Sequence, residues 1–212
     1  MSKVFANIAM SLDGYMAPEG MTLEHWEDPK YKDWGAKWGS LMAWILKQEY
    51  FRETLKSGAG GETGPVNDLV RATFERTGAA IMGKRMFEQG EVSWPEEAPF
   101  HTRVYVLTHE KREPWVRPGG TTFHFVNDGP EQALEMARGS ASDKDVRISG
   151  GANVLQQYLN LGVVEELEIA LSPVIFGAGR RLFENLREPV PRFRIDSVVH
   201  GPDATHLRLV PA

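Results

Sequence analysis

The sequence predicts an α/β fold, with a mixed, mostly parallel sheet flanked by helices and ending in an antiparallel hairpin. Three observations predict it. Short apolar, β-rich runs alternate with helical stretches over most of the chain, the order a parallel sheet with helical crossovers requires. Two of those runs lead straight into glycines that open a helix, at Gly83 and at Gly150-Gly151. The end of the chain reads as two alternating runs, 192–199 and 205–210, around Gly201-Pro202-Asp203, which is a hairpin signal.

The elements follow in order. Lys3 to Ser11 is apolar and β-rich, and stops at the turn Ser11-Leu12-Asp13-Gly14. Residues 15–39 read as irregular, with Trp26, Trp34 and Trp38 among scattered glycines. Ser40 is suited to cap a helix running to about Ser57, with Leu41, Trp44, Ile45, Phe51 and Leu55 as its apolar stripe. Residues 58–64 form a glycine-rich loop, and a second helix covers about 66–77. Strands are expected at 79–82, 103–107 and 121–126. Pro130, placed at a first helical turn, opens a helix to about 141. A strand at 145–148, a helix closed by Gly162, a strand at 164–171 and a glycine-rich turn at 176–179 precede the hairpin.

Composition narrows the function. The 212 residues, 42% hydrophobic and 25% charged, suffice for one well-buried domain spanning 1–212. The net charge of −5, with Lys and Arg scattered, leaves no broad basic footprint for nucleic acid. The chain has no cysteine, which excludes thiol catalysis and thiolate-bound metals. The six histidines show no metal-ligand spacing, so no metal is expected. No run approaches the roughly 18 apolar residues of a membrane span. Met1 to Ser11 reads as a first strand rather than a leader, which makes a cytoplasmic location the expectation.

The chemistry concentrates at the two strand–glycine–helix junctions. A helix start offers unpaired N–H groups and about half a positive charge. Glycine there lets a phosphate approach the backbone. Gly150-Gly151 suits an uncharged cradle for a pyrophosphate, and a bulky residue at Gly151 is expected to block it and strain the turn. Gly83-Lys84-Arg85 adds two cations, which oppose the helix dipole and so call for a reason, such as a 2′-phosphate, beyond a solvated helix start. Neither G-x-G-x-x-G after a strand nor G-x-x-x-x-G-K-[ST] occurs.

Four pieces, in order, resemble the dihydrofolate-reductase-like superfamily. The likeness is greatest to the C-terminal reductase domain of the bifunctional riboflavin-biosynthesis deaminase-reductase and its stand-alone relatives. They are Ser11-Leu12-Asp13-Gly14, Met82 to Glu88, Val106-Leu107-Thr108, and Ser149 to Leu155 with Pro173 to Phe183 behind it. The resemblance implies NADPH lying across the ends of the central strands. On it, Gly83, Lys84, Arg85 and Met86 face the 2′-phosphate, and Thr108 and His109 the adenosine. Ser149, Gly150, Gly151, Ala152, Asn153 and Val154 hold the pyrophosphate, and Ala9 and the turn to Ala17 border the nicotinamide. Lys84 and Met86 stand where many members have Arg and Thr. The deaminase signature is missing, so the reductase half alone is represented.

The expected activity is NADPH-dependent reduction of a small, heterocyclic substrate. The alternative is an NADP-binding module, a redox sensor or interaction protein without turnover. Asp13 reads as the proton donor or as an Asx-turn residue. Ser172 and Trp44 are candidates for substrate contact, with an ordinary strand-end serine and a core tryptophan as the plainer readings. The Trp-rich segment within 20–64 suits a substrate lid or a dimer contact. With the apolar last strand, it makes a homodimer one expected assembly.

Overall fold

The computed structural model describes residues 2–25 and 27–212. Met1 and Trp26, both in segments read above, lie outside the described residues. The chain runs β1 (Val4–Ser11), β2 (Tyr15–Pro18), α1 (Trp34–Leu46), α2 (Glu49–Thr54), α3 (Pro65–Arg76), β3 (Thr77–Gly83), α4 (Lys84–Ser93), β4 (Arg103–Leu107), β5 (Trp115–Val116) and β6 (Thr122–Val126). It continues through α5 (Pro130–Ser140), β7 (Asp145–Gly150), α6 (Ala152–Asn160), β8 (Glu166–Ser172), β9 (Gly179–Arg181), β10 (Phe193–His200) and β11 (Thr205–Pro211). Among the described residues, one sheet has the order β10-β11-β8-β1-β7-β3-β4-β6-β5. From β8 to β6 the neighbours are parallel. The pairs β8–β11, β11–β10 and β6–β5 are antiparallel. The mixed sheet and its terminal hairpin are therefore as the sequence predicts.

Side chains alternate along a strand, so each central strand serves two layers. Val4, Ala6 and Ile8 of β1, Ala79 and Ile81 of β3, and Val146 and Ile148 of β7 pack with α5 and α6. On the other face Ala80, Met82, Val104, Val106 and Phe123 surround Phe87 of α4. Ala9 and Ala170 meet Trp44 and Ile45 of α1 and Val70 of α3.

That second face also carries charge. Glu166, 2% exposed, accepts hydrogen bonds from Arg208 Nε (2.7 Å), Lys3 Nζ (3.0 Å) and Arg76 Nη1 (3.2 Å). Burial pushes its pKa up, but the hydrogen bonds from Arg208 and Lys3 and the charge of Arg76 outweigh it and bring the carboxyl from 4.5 to about 2. Glu168 accepts from Asn7 Nδ2 at 2.8 Å, and Asn7 Oδ1 accepts from Arg147 Nη2 at 3.3 Å.

Three expectations are corrected. The helix read from Ser40 to Ser57 begins at Trp34 and is broken at Lys47–Gln48. Ser40 sits inside it, donating to Ala36 O at 2.9 Å, and caps nothing. The break is tertiary: Glu62 N donates to Lys47 O (2.8 Å) and Glu49 N to Glu62 O (3.0 Å), so the glycine-rich loop folds back onto the helix. Gly61 permits that approach, since a Cβ there would meet Glu49 N at 2.6 Å. The segment read as irregular contains β2, and the glycine-rich turn after residue 176 supplies its partner β9.

Glu166→Gln is expected to cost about 3 kcal/mol in urea unfolding at pH 7, because it leaves Arg76 and its neighbours facing a neutral group. A depressed carboxyl pKa stabilises the fold above about 4.5 and loses that stabilisation as pH falls towards about 2. The gap between wild type and variant should therefore narrow over that window, and a gap constant down to pH 2.5 would refute the assignment.

Candidate cofactor and substrate cleft

Parallel strands place their carboxyl ends on one edge, and clefts in open α/β sheets form outside that edge. Here β3 ends at Gly83 and α4 starts at once; β7 ends at Gly150, and α6 starts after Gly151. The two junctions touch: a Cβ on Gly83 would meet Val154 Cγ2 at 2.9 Å and Gly151 N at 3.8 Å. Neither helix start has a side-chain cap, so the first-turn N–H groups are left for a ligand. A cleft of about 1170 Å³ opens over them.

The structure brings most of the predicted residues to this cleft. Ala9, Ala17, Gly83, Lys84, Arg85, Met86, Thr108, His109, Ser149, Gly151, Ala152, Asn153, Val154 and Trp44 all line it. Gly150 is buried next to it; its φ of +115° is glycine territory, and a Cβ there would lie 3.5 Å from Met16 and 3.6 Å from Met86. Gly151 is the opposite case. Its φ is −75° and a Cβ would meet nothing within 4 Å, so the strain expected there belongs to Gly150 instead.

Ser172 is corrected. It is fully buried and its Oγ donates to Leu41 O at 2.8 Å, which ties β8 to α1 away from the cleft. Asp13 also lies outside the cleft lining. Its carboxylate accepts from Ser11 Oγ (2.7 Å), Phe176 N (3.1 Å) and Gly177 N (2.7 Å), pinning the first turn to the loop before β9. Burial raises its pKa, but these hydrogen bonds dominate and lower it from 3.8 to about 2. A carboxyl so held is ionised at neutrality, and its backbone partners lie more than 160 residues away, so Asp13 serves as a tie between two loops rather than as the local Asx-turn or the free acid of the sequence reading.

Charges in the cleft differ from a reading of sequence alone. Lys84 is already answered by Glu110 and by Glu88 at 3.4 Å, and the hydrogen bond to Glu110 raises its pKa. Arg85 has no ion pair among the described residues, and it shares the cleft with Arg180 of β9. Desolvation and then the charge of Arg85 lower the Arg180 pKa. Arg147 and Asn7 line the inner wall. The sequence reading missed Arg147 and Arg180. A visible signal for Arg147 was a cation between Val146 and Ile148, inside the strand expected at 145–148.

Comparison with known proteins agrees with this architecture. The RibD C-terminal domain family model matches residues 2–207. The uncharacterized protein YyaP of Bacillus subtilis (strain 168) is 29% identical over 66 residues, a match spanning 31% of this chain and 35% of that protein. A putative riboflavin biosynthesis protein from Shewanella sp. PV-4 has a similar structure, with a TM-score of 0.63 at 20% identity, covering 100% of this chain and 99% of that one. The diaminohydroxyphosphoribosylaminopyrimidine deaminase/5-amino-6-(5-phosphoribosylamino)uracil reductase of Thermotoga maritima gives 0.57 at 14% identity, covering 100% of this chain and 57% of that one. Dihydrofolate reductase from Enterococcus faecalis, complexed with NADP(H), gives 0.52 at 15% identity, covering 99% and 95%. The fold is thus dihydrofolate-reductase-like.

The two glycines should separate in experiment. Gly151→Val is expected to melt within a few degrees of wild type but to weaken NADPH binding at least about tenfold, because the new side chain enters the cleft. Gly150→Val should lower stability by about 1–3 kcal/mol through its positive φ. Thermal melts and fluorescence titration read both. A Gly151→Val protein that titrates like wild type would remove this junction from the site.

Proposed function

Because the chain belongs to the RibD C-terminal domain family, we propose that it is an NADPH-dependent reductase acting on a small, planar, heterocyclic substrate. The observation that carries this reading is the contact between two uncapped strand–glycine–helix junctions at the floor of one cleft. A dinucleotide has phosphates to occupy both.

The residues present fit the cofactor. Gly151, with open space where a Cβ would stand, admits a phosphate to the N–H groups at the start of α6. Arg85 and Arg180 repel one another across the cleft, and an anion between them would relieve that cost. They, rather than the already paired Lys84, are suited to the 2′-phosphate charge. Thr108 and His109, just after β4, and Ala9 and Ala17 line the same cleft, and they are assigned to the adenosine and nicotinamide sides respectively by the family resemblance. When bound, NADPH supplies the hydride; the chain's residues orient the partners and exclude water. Trp34 and Trp38 of α1 line the cleft and offer flat surfaces to a ring, while Trp44, packed in the core, reaches the lining behind them. Asp13 is engaged elsewhere, so the proton for the reduced heteroatom is assigned to solvent.

NADPH should bind more tightly than NADH. Loss of one charge-assisted contact is worth about 1.5–3 kcal/mol, or roughly tenfold to hundredfold. Arg85→Ala should therefore weaken NADPH by about that factor and leave NADH nearly untouched, while Lys84→Ala should do much less. Calorimetry on both cofactors decides it, and equal losses for both would detach these residues from the 2′-phosphate.

Turnover is the second test. NADPH oxidation is expected with at least one member of a panel of pteridines, pyrimidines, quinones and aldehydes. Tight binding with no oxidation across the panel would favour a nucleotide-binding module.

A further inference from the structure

The inner wall of the cleft is rich in unanswered donors. Arg147, Ser149 and Trp44 all line it, and Arg147 Nε, Ser149 Oγ and Trp44 Nε1 are each buried without a hydrogen-bond partner among the described residues. Buried donors are seldom left so, because each unpaired one costs its desolvation.

Arg147 stands out in its charge network. Lys3, Arg76 and Arg208 each contact a carboxylate within 4.0 Å. Arg147 has no such pair among the described residues; it donates to the neutral Asn7 Oδ1 at 3.3 Å, and its guanidinium lies 5.2 Å from the Phe74 ring centre. Burial lowers its pKa to about 10, which leaves it charged at neutrality. The acids of the cleft lining are Glu88, engaged by Lys84, and Glu184. Glu168, one residue beyond Asn7 in this chain of contacts, acts on Arg147 through its charge but forms no ion pair with it among the described residues, and Arg147 Nε has no partner there.

We propose that Arg147 is a specificity-determining residue, and that the substrate carries a carboxylate directly on its planar ring, received by Arg147 with Ser149 and Trp44 donating to the ring's oxygens. This rests on the cleft being the substrate site of the reductase proposed above. Arginine's planar fork matches a carboxylate and lysine's point charge does not. The short reach follows from the strand. Arg147 and Ser149 are two residues apart on one face of β7, their Cα atoms roughly 7 Å apart, so one small ring bearing its acid group can lie over both.

Orotate and uracil are suitable probes, since they share a ring and differ by the carboxylate. Calorimetry on the full chain, with and without NADPH, should show orotate binding at least about tenfold more tightly than uracil. Arg147→Met should abolish that preference while leaving the NADPH dissociation constant within twofold. Arg147→Lys should restore only part of it. Ser149→Ala should weaken both probes and keep the preference, which guards against a misfolded Arg147→Met. Uridine 5′-phosphate against uridine tests the other oxyanion source, and a preference there larger than that for orotate overturns the ring-carboxylate assignment. Equal binding of orotate and uracil by wild type, or an unchanged preference in Arg147→Met, also overturns it. Failure of NADPH to bind while orotate is still preferred would sink the reductase reading and leave the carboxylate site standing.

Discussion

The structure depends on the shared direction of its central strands. β8, β1, β7, β3, β4 and β6 are parallel, so their carboxyl ends collect on one edge and every crossover must start there. Two crossovers begin without a spacer, at Gly83 and Gly151, because glycine lets the chain turn from strand to helix in one or two residues. The sheet order sets β3 next to β7, which brings the two helix starts into contact. Residues far apart in sequence, such as Ala9, Arg85, Thr108 and Asn153, reach one cleft for that single reason.

The opposite ends of β1 and β8 are held by a different interaction. Glu166 is buried under three cations, and removal of any partner would strand the others in a poorly solvated place. From there the polar chain passes through Glu168 and Asn7 to Arg147, which emerges in the cleft. The anchoring of the sheet and the polarity of the cleft's inner wall thus belong to one connected set of side chains. The guanidinium of Arg76, 3.6 Å from the Phe5 ring centre, shows how this face mixes ionic and aromatic contacts.

The turn after β1 is a second organising point. Asp13 gathers two backbone N–H groups and the Ser11 hydroxyl, and Leu182 N donates to Gly14 O at 2.9 Å. These bonds fix the β2–β9 ribbon against the sheet and carry Met16, Ala17 and Arg180 into the cleft. A residue suggestive of acid catalysis is used instead to build the wall beside the site.

What the sequence by itself determined is local. The strand β4 at 103–107, the helices α3 and α5, the terminal hairpin and both glycine junctions were legible, because period, turn chemistry and proline placement act within a few residues. Most of the site residues that the family resemblance implied also reach the cleft, since strand ends in such a sheet face the same way. Tertiary structure decided the rest. The break at Lys47–Gln48 comes from hydrogen bonds to a loop that returns from residue 62. Ser172 became a buried tie because α1 passes over it, and Lys84 lost its free charge to Glu110, 26 residues away. Arg147 and Arg180 entered the cleft by strand order and ribbon pairing. The i,i+4 spacing of Lys84 and Glu88 is written in the chain, but the pairing of Lys84 with Glu110 and the unpaired state of Arg147 depend on what folding brings beside them, which no short-range pattern encodes.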